Sequence, residues 1–339
     1  MRYLSTVYVR EHRAKVSFRR GSLLVSDPDG KKRIPLEAID GVILIGAAQI
    51  TTDALGACVE RNVRVASLKR NGAIRFVVGG PTGGNVHLRS ALYAAVSNPR
   101  HSLELSRSVV AGKLQNSRRV INRWARDEHS ASGSDQLSTR ADQIGSRVAR
   151  LSGSPTADHI RGIEGDAARI YFGALKDVVA KSHLKFAART RRPPRDHVNA
   201  MLGYCYGLLV TELIGALDAV GLDNQMGFFH RPRSGRPSLA LDLAEELRPL
   251  VDRFVVTLVR RRQVGPESFV GTPGGAVYLH DDSRTDLIKL WEAHKDADIY
   301  HPVVGQSVPR WALPSIQATL LARHLRGDLP VYPPFLTSH

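Results

Sequence analysis

Glu164 is a charged residue in a stretch whose apolar residues have helical spacing. Residues 156–180 follow a period of about 3.6, and Glu164 shares one stripe with Tyr171 and Leu175. A carboxylate on an apolar stripe is costly to desolvate unless a positive group meets it. An arginine, a histidine or a metal ion would serve, and a buried ion pair or an acid in the first helical turn would leave the same pattern. The spacing predicts a buried acid and leaves its partner open.

His230 opens a second candidate segment, a loop in which one imidazole is followed by several guanidinium groups. It comes after two phenylalanines, and the arginines are Arg231, Arg233 and Arg236. Guanidinium groups match the geometry of phosphate oxygens. The segment therefore indicates contact with a phosphate-bearing substrate.

A cluster of acids follows on the next predicted helix, which Ser238 caps. Asp242, Glu245 and Glu246 lie on one face, and leucines form the other. Like charges three or four residues apart repel by about a few tenths of a kcal/mol per pair, and a bound cation would reverse that repulsion. A solvated acidic face is the plain alternative for these residues taken alone.

Together these residues suit metal-assisted phosphodiester chemistry. One imidazole and two or three carboxylates, with no thiolate, form an oxygen-rich set typical of Mg²⁺ or Mn²⁺ rather than of structural zinc. A metal ion would neutralise and polarise a phosphate, while arginines hold the phosphates on either side. Sequence spacing does not show that Glu164 reaches His230.

The composition favours a polyanionic partner. The chain has 339 residues, with 48 lysines and arginines against 32 acids, and a formal net charge of +16. Nucleic acid is the first expectation and an anionic membrane surface the second. Two cysteines, Cys58 and Cys205, exclude a disulfide scaffold and a cysteine-rich zinc site. Polar residues interrupt the longest apolar stretch, so we expect no membrane span and a cytoplasmic location.

The first part of the chain is predicted to form β-strands. Its first eighty residues alternate between apolar and polar side chains. A short helix is expected after the capping residue Thr51. Turn signals separate the strands at Arg20-Gly21, Asp27–Gly30 and Asn71-Gly72. A glycine-rich linker follows at 79–84.

Helices must position the candidate residues themselves. Beyond the linker the hydrophobic period becomes helical, with a serine-rich loop predicted at 128–135. The predicted helices cover 91–127, 136–151, 156–180, 196–219, 238–262, 283–294 and 311–326. The predicted fold class is α+β, a small β-rich N-terminal domain followed by a larger all-α C-terminal domain. The predicted bounds are 1–80 for the β-rich domain, 81–90 for the linker and 91–339 for the helical catalytic domain.

Four segments in a fixed order resemble a known family, the CRISPR-associated adaptation integrases, which insert new spacers into a CRISPR array. The resemblance covers nearly the whole chain. The segments are Ile163–Phe172, Arg191–Pro194 with Val198–Tyr204, Gly227–His230 and Ser238–Pro249. Any one of them could arise by chance, and all of them in this order are typical of the family.

The resemblance implies a single metal site. Glu164 matches the family's helical glutamate, His230 its histidine, and Glu245 the acid that completes the ligand set. These three are the expected catalytic residues. Asp242 matches a second acid and is expected as a supporting or alternative ligand. The implied ion is Mg²⁺ or Mn²⁺.

The resemblance also implies a reaction and a set of partners. The 3′-hydroxyl ends of short double-stranded DNA fragments are joined to the repeat edge of a CRISPR array by transesterification. Members of the family are homodimers, and a small ferredoxin-like partner joins two dimers into a heterohexamer. Some members also work with an iron–sulfur nuclease that trims the incoming DNA. Exposed edge strands predict that the β-rich domain makes the homodimer contact.

Two other functions stay open at this point. One is a structure-selective nuclease that acts on branched DNA, and the other is a non-catalytic dimer that positions DNA. All three functions require arginines that contact DNA phosphates. The expected residues are Arg231, Arg233, Arg236, Arg248, Arg191 and Arg192.

Overall fold

The computed structural model describes residues 5–9, 14–28, 30–61, 63–68, 74–79, 85–180 and 182–337. The chain divides into two compact units. The first is Met1–Val86 together with Asp218–Gly221, and the second is His87–Leu217 together with Leu222–His339. The predicted turn at Asn71-Gly72 and most of the predicted linker, residues 80–84, lie outside the described residues.

The described residues of the first unit form two four-stranded sheets and one α-helix. Its elements are β1 (Ser5–Val9), β2 (Lys15–Arg19), β3 (Ser22–Asp27), β4 (Gly30–Pro35), β5 (Ile39–Ile45), β6 (Gln49–Ile50), α1 (Thr52–Glu60), β7 (Arg64–Leu68) and β8 (Ile74–Val78). One sheet has the order β1-β5-β7-β8, parallel except for β8, and the other has the order β4-β3-β2-β6. Their apolar faces share a core that includes Val16, Leu23 and Val65.

Local chemistry explains the turns and the cap in this unit. Arg20 and Gly21 both have positive φ, 47° and 74°, as a two-residue hairpin turn between twisted strands requires. The hydroxyl of Thr51 accepts a hydrogen bond from the Ala54 amide at 3.2 Å and begins α1. Both features confirm the sequence-based prediction.

The second unit is mainly helical. Its long elements are α2 (Val86–Ser97), α3 (Pro99–Arg126), α4 (Ala131–Leu151), α5 (Ala157–Val179), α6 (His197–Ala219), α7 (Ser238–Arg260), α8 (Asp281–Asp296) and α9 (Leu313–Leu325). The helices α3, α5 and α7 pack on one another. This trio positions the candidate site.

Two details of the second unit differ from the prediction. It is not purely helical, because it includes two small hairpins. Their strands are β9 (Phe269–Gly271) with β10 (Val277–Leu279) and β11 (Asp298–His301) with β12 (Gln306–Pro309). The predicted loop at 128–135 is also too long, since Ser130 accepts a hydrogen bond from the Gly133 amide and starts α4 at residue 131. That serine is a helix cap rather than part of a long loop.

The helix α6 is long and apolar enough, by length and composition, to cross a membrane. However, 72% of its most apolar window is buried inside the protein. Burial of this kind is typical of a core helix, which is hydrophobic on every side.

Candidate active site

Two acids from different helices meet at one lysine. Glu164 lies on α5, Glu245 on α7 and Lys113 on α3. The Lys113 ammonium donates to an oxygen of Glu164 and, at 2.5 Å, to Oε2 of Glu245. The three side chains expose 14% (Lys113), 18% (Glu164) and 5% (Glu245) of their surface. Of the partners left open for Glu164, the structure shows a buried ion pair, with lysine in place of arginine.

Neighbouring charged side chains keep Glu245 and Lys113 ionised. Burial alone would raise the pKa of Glu245, but the nearby charges of Arg248 and Lys113 outweigh it and hold that pKa at about 2. Arg248 makes an ion pair with Oε1 of Glu245 at 3.0 Å. Burial alone would lower the pKa of Lys113, and the two carboxylates raise it instead. Glu245 is therefore a carboxylate, and Lys113 an ammonium, at neutral pH.

Asp242 organises the loop that carries His230. It is fully buried, and its Oδ2 accepts hydrogen bonds from the amides of Phe228 and Phe229 at 2.7 and 3.0 Å. Its Oδ1 accepts the amide of His230 at 2.8 Å and contacts Nδ1 of the same residue at 2.7 Å. A carboxylate has about four lone-pair sites, and these bonds occupy all of them. Asp242 thus serves as a support for His230.

The same contact orients the imidazole of His230. A carboxylate at Nδ1 places the ring proton there and leaves Nε2 with its lone pair, as in the histidine ligands of many metal sites. The His230 side chain is 21% exposed. Gly227 lets the loop turn this tightly, because a Cβ there would lie 2.7 Å from the carbonyl oxygen of His230. The imidazole is therefore oriented before any ligand binds.

The donor types in this site fit a hard divalent cation. Glu164 and Glu245 already converge on one cation, the ammonium of Lys113. Glu245 lies one turn after Asp242 on α7, and Asp242 holds the imidazole of His230. No three His, Cys, Asp or Glu side chains form a ready metal-binding group among the residues that the structure describes. Both carboxylates form ion pairs with Lys113.

Lys113 is the site residue that the sequence analysis missed. Its helix α3 buries Val109, Asn116 and Val120 on one face, and Lys113 lies on that face. The argument that singled out Glu164, a charge on a buried stripe, would have found Lys113 as well.

The three clustered acids have three different environments. Asp242 holds the His230 loop, Glu245 faces Lys113 and Arg248, and Glu246 points to the C-terminal segment. The interpretation of these acids as a solvated face is therefore wrong, because all three side chains are buried.

The predicted DNA-contacting arginines divide into two groups. Arg231, Arg233, Arg191 and Arg192 are exposed and Arg236 is half-buried. Arg248 differs, since only 16% of its side chain is exposed and its guanidinium lies 4.8 Å from the ring centre of Tyr206. Its ion pair with Glu245 gives it a partner inside the protein, and its contact with DNA stays a prediction.

A C-terminal strap, residues 332–337, lies behind the site. Glu246 accepts hydrogen bonds from the Tyr332 hydroxyl at 2.6 Å and the Phe335 amide at 2.9 Å. Asn116 donates to the carbonyl oxygen of Phe335 at 2.8 Å and accepts from the Thr337 amide at 2.9 Å. Glu246 adjoins Glu245 in the chain, and Asn116 lies one turn beyond Lys113. The strap therefore fastens the two helices that bring Lys113 and Glu245 together.

Glu246, which binds the strap, is expected to make the stability of the fold depend on pH. Burial raises the pKa of Glu246 to about 7, because its partners, including Gln317, carry no charge. Above the unfolded value, about 4.3, the folded protein binds more protons than the unfolded chain, so this carboxyl weakens the fold as the pH rises towards 7. Between pH 5 and pH 8, the free energy of unfolding of Glu246→Gln should rise by about 2–3 kcal/mol relative to that of the parent. Urea unfolding at both pH values measures this difference, and an equal pH dependence in the two proteins would contradict it.

Comparison with known proteins shows which family the chain resembles. Residues 7–293 match the family model described as CRISPR associated protein Cas1. The chain is 39% identical over 337 residues to CRISPR-associated endonuclease Cas1 1 of Moorella thermoacetica, with 98% of each chain covered. A Cas4 exonuclease/Cas1 endonuclease fusion of Rhodospirillum rubrum is 33% identical over 312 residues, which are 90% of this chain and 53% of the fusion.

Solved structures show the same fold. A casposase bound to an integration product has a TM-score of 0.81 at 22% identity, covering 97% of this chain and 93% of the casposase chain. A chain of a Cas6-RT-Cas1–Cas2 complex has a TM-score of 0.80 at 18% identity, covering 99% of this chain and 36% of that one. The family model, the relatives and the fold agree, and the chain belongs to the CRISPR-associated Cas1 family.

Proposed function

We propose that this chain is a metal-dependent DNA integrase and endonuclease of CRISPR adaptation. It joins the 3′-hydroxyl ends of short DNA fragments to the repeat edge of a CRISPR array by transesterification. The observation that carries the proposal is the meeting of Glu164 and Glu245 at one cation, with the imidazole of His230 held by Asp242 one turn before Glu245 on α7. The relative named as a Cas1 endonuclease and the casposase bound to an integration product support the reaction class.

The proposed metal ligands are Glu164, His230 and Glu245, which would hold Mg²⁺ or Mn²⁺. Such an ion would supply activation of the attacking oxygen and stabilisation of charge on the phosphate. Asp242 keeps the proton on Nδ1 of His230, so that Nε2 remains available. Arg248 keeps Glu245 ionised. A bound ion would compete with Lys113 for these two carboxylates, and an ammonium released from them would be free to contact a phosphate.

A strand-joining assay tests this function. A labelled fragment with free 3′-hydroxyl ends is incubated with a plasmid that carries a repeat array, with Mg²⁺, with Mn²⁺ and with chelator. Joining that needs the ion supports the proposal. Cutting of branched DNA without joining would favour the structure-selective nuclease, and DNA binding without either reaction would favour the non-catalytic dimer.

The proposed DNA contacts near the site come from two loops. Arg231, Arg233 and Arg236 follow His230, and Arg191 and Arg192 precede α6. Arginine forks bind phosphate oxygens without reading base sequence. These residues would hold the phosphates on either side of the attacked bond.

The proposed partners follow the family. We propose a cytoplasmic homodimer that binds a small ferredoxin-like Cas2 subunit and, in some settings, a Cas4-type iron–sulfur trimming nuclease. The Cas6-RT-Cas1–Cas2 complex and the Cas4/Cas1 fusion among the similar proteins support these two partners.

An exposed aromatic residue on the first unit gives the dimer proposal a test. Phe76 is 41% exposed on β8, an edge strand of its sheet. An edge strand with an exposed apolar side chain favours pairing with another copy. We expect Phe76→Glu to shift the protein towards monomer in sedimentation, while Val270→Glu, at a position 42% exposed in the second unit, leaves the dimer intact. An unchanged dimer in Phe76→Glu would exclude this edge.

A further inference from the structure

A basic cavity lies where the ends of α3 and α7 meet, within the second unit. Its volume is about 600 Å³, and it is open to solvent. Its charged lining consists of arginines and acids, with His129 beside them. The arginines are Arg123, Arg126, Arg253, Arg260 and Arg261, and the acids are Asp127 and Glu128.

The two acids in the cavity already have partners. Asp127 makes ion pairs with Arg123 at 3.3 Å and with Arg260 at 4.0 Å. Glu128 accepts hydrogen bonds from the amides of His129 and Ser130 at 3.1 and 3.2 Å, in the turn before α4. The cavity therefore holds five arginines against two acids that already have partners.

Three arginines of the cavity form no direct ion pair within the described part of the chain. Arg126, Arg253 and Arg261 are exposed, and none of them makes an ion pair with any residue that the structure describes. Partial burial lowers the pKa of Arg253, repulsion from Arg123 and Arg126 lowers it further, and attraction to Asp127 opposes this shift. Positive charge is thus concentrated in one concave place, and an anion would relieve that repulsion.

The helix dipole accounts for part of this cluster. Cations are favoured at helix C-termini, and Arg260 donates to the Asp127 carbonyl at the end of α3 at 3.0 Å. Other arginines of α3 have contacts elsewhere in the fold. Arg107 donates to the carbonyl oxygen of Ser154, and Arg118 makes an ion pair with Asp142. The dipoles of α3 and α7 also favour Arg126, in the last turn of α3, and Arg261, the residue that follows α7, whereas Arg253 lies inside α7.

We propose that this cavity binds backbone phosphates of DNA at a distance from the candidate active site. Guanidinium forks match phosphate oxygens, and the open mouth suits a polymer. Trp124, the aromatic residue of the lining, is 3% exposed and packs against Tyr171 with ring centres 5.7 Å apart. It has no free face on which a base could stack. The cavity therefore recognises phosphates and not base sequence.

The position of the cavity on α7 sets its distance from the reaction. Arg253 and Arg260 follow Glu245 by eight and fifteen residues, or about 12 and 22 Å along a helix. Phosphates on one strand advance about 3.4 Å per base pair. The cavity would thus hold phosphates about four to seven base pairs from the attacked bond. This inference rests on the proposed function, which places that bond at Glu164 and Glu245.

Two triple variants that lose the same charge test the inference. The first, Arg126→Gln with Arg253→Gln and Arg261→Gln, removes the unpaired arginines of the cavity. The second, Arg100→Gln with Arg150→Gln and Arg323→Gln, removes arginines that are exposed elsewhere in the second unit. Salt titrations use DNA duplexes that extend about three or about ten base pairs beyond the attacked bond on each side.

We expect the parent to bind the longer duplex more tightly, and the cavity variant to lose most of that advantage. The log–log salt slope for the longer duplex should become shallower by about two to three units in the cavity variant, and by less than about one unit in the control. Each single cavity variant should change the slope by about one unit, which tests the site even if the triple variant folds poorly.

Equal slopes and equal length dependence in the two triple variants would overturn the inference. Strand joining at saturating DNA separates this outcome from failure of the proposed function. A parent that joins DNA while both variants bind alike refutes only the cavity. A parent that binds DNA and joins none refutes the integrase proposal, whatever the slopes show.

Discussion

Glu164→Gln is expected to lower strand joining by at least about a thousand-fold, which corresponds to about 4 kcal/mol of activation free energy. The amide keeps the size of the side chain and removes the charge that meets Lys113 and, in the proposed mechanism, a metal ion. DNA affinity should stay within a few-fold of the parent, because arginine and lysine contacts to phosphates supply most of the binding. Rates of joining and equilibrium binding are measured on the same DNA.

Asp158→Asn is the matched control for this prediction. Asp158 lies on the same helix, and its side chain is 76% exposed and paired with Arg161. Neutralising it removes an acid from α5 without touching the carboxylates at Lys113. Full joining activity in Glu164→Gln would remove Glu164 from the site. Equal losses in both variants would point to a general effect of charge on α5.

Asp242→Ala is expected to destabilise the folded protein by about 3–5 kcal/mol. The substitution leaves the amides of Phe228, Phe229 and His230 without their acceptor in a buried place. It also releases the imidazole of His230. Urea unfolding of the parent and the variant measures the loss, and a change below about 1 kcal/mol would show that water replaces the carboxylate.

Asp242→Asn separates orientation from stability. An asparagine keeps one acceptor oxygen, but an amide nitrogen facing Nδ1 of His230 would donate to it and shift the ring proton to Nε2. We expect strand joining to fall by at least about a hundred-fold in a protein that still folds. Joining at the parental rate would mean that His230 needs no fixed tautomer.

The order of the elements follows from local sequence patterns. The Arg20-Gly21 turn, the Thr51 cap and the change from strands to helices depend on residues close together in the chain, and the structure confirms each of them. The expectation of a helical site residue at Glu164 rests on the same kind of information. The two hairpins of the second unit were missed, because their strands have only three or four residues and carry little periodicity.

The tertiary structure decided which charges meet. Hydrophobic spacing shows that Glu164 and Lys113 each lie on a buried stripe, but it does not show which helices face each other. Asp242, Glu245 and Glu246 look alike in the sequence and end in three environments, because their partners come from the His230 loop, α3 and the C-terminal strap.

The sequence by itself determined the fold class, the positive charge and, through its resemblance, the family and its expected ligands. The pairing of Lys113 with Glu164 and Glu245 joins residues 51 and 132 positions apart, and the pairing of Arg248 with Glu245 depends on the same packing. A buried charge takes the nearest opposite charge that the packed helices bring to it. Only the packing of α3, α5 and α7 could show which charge that is.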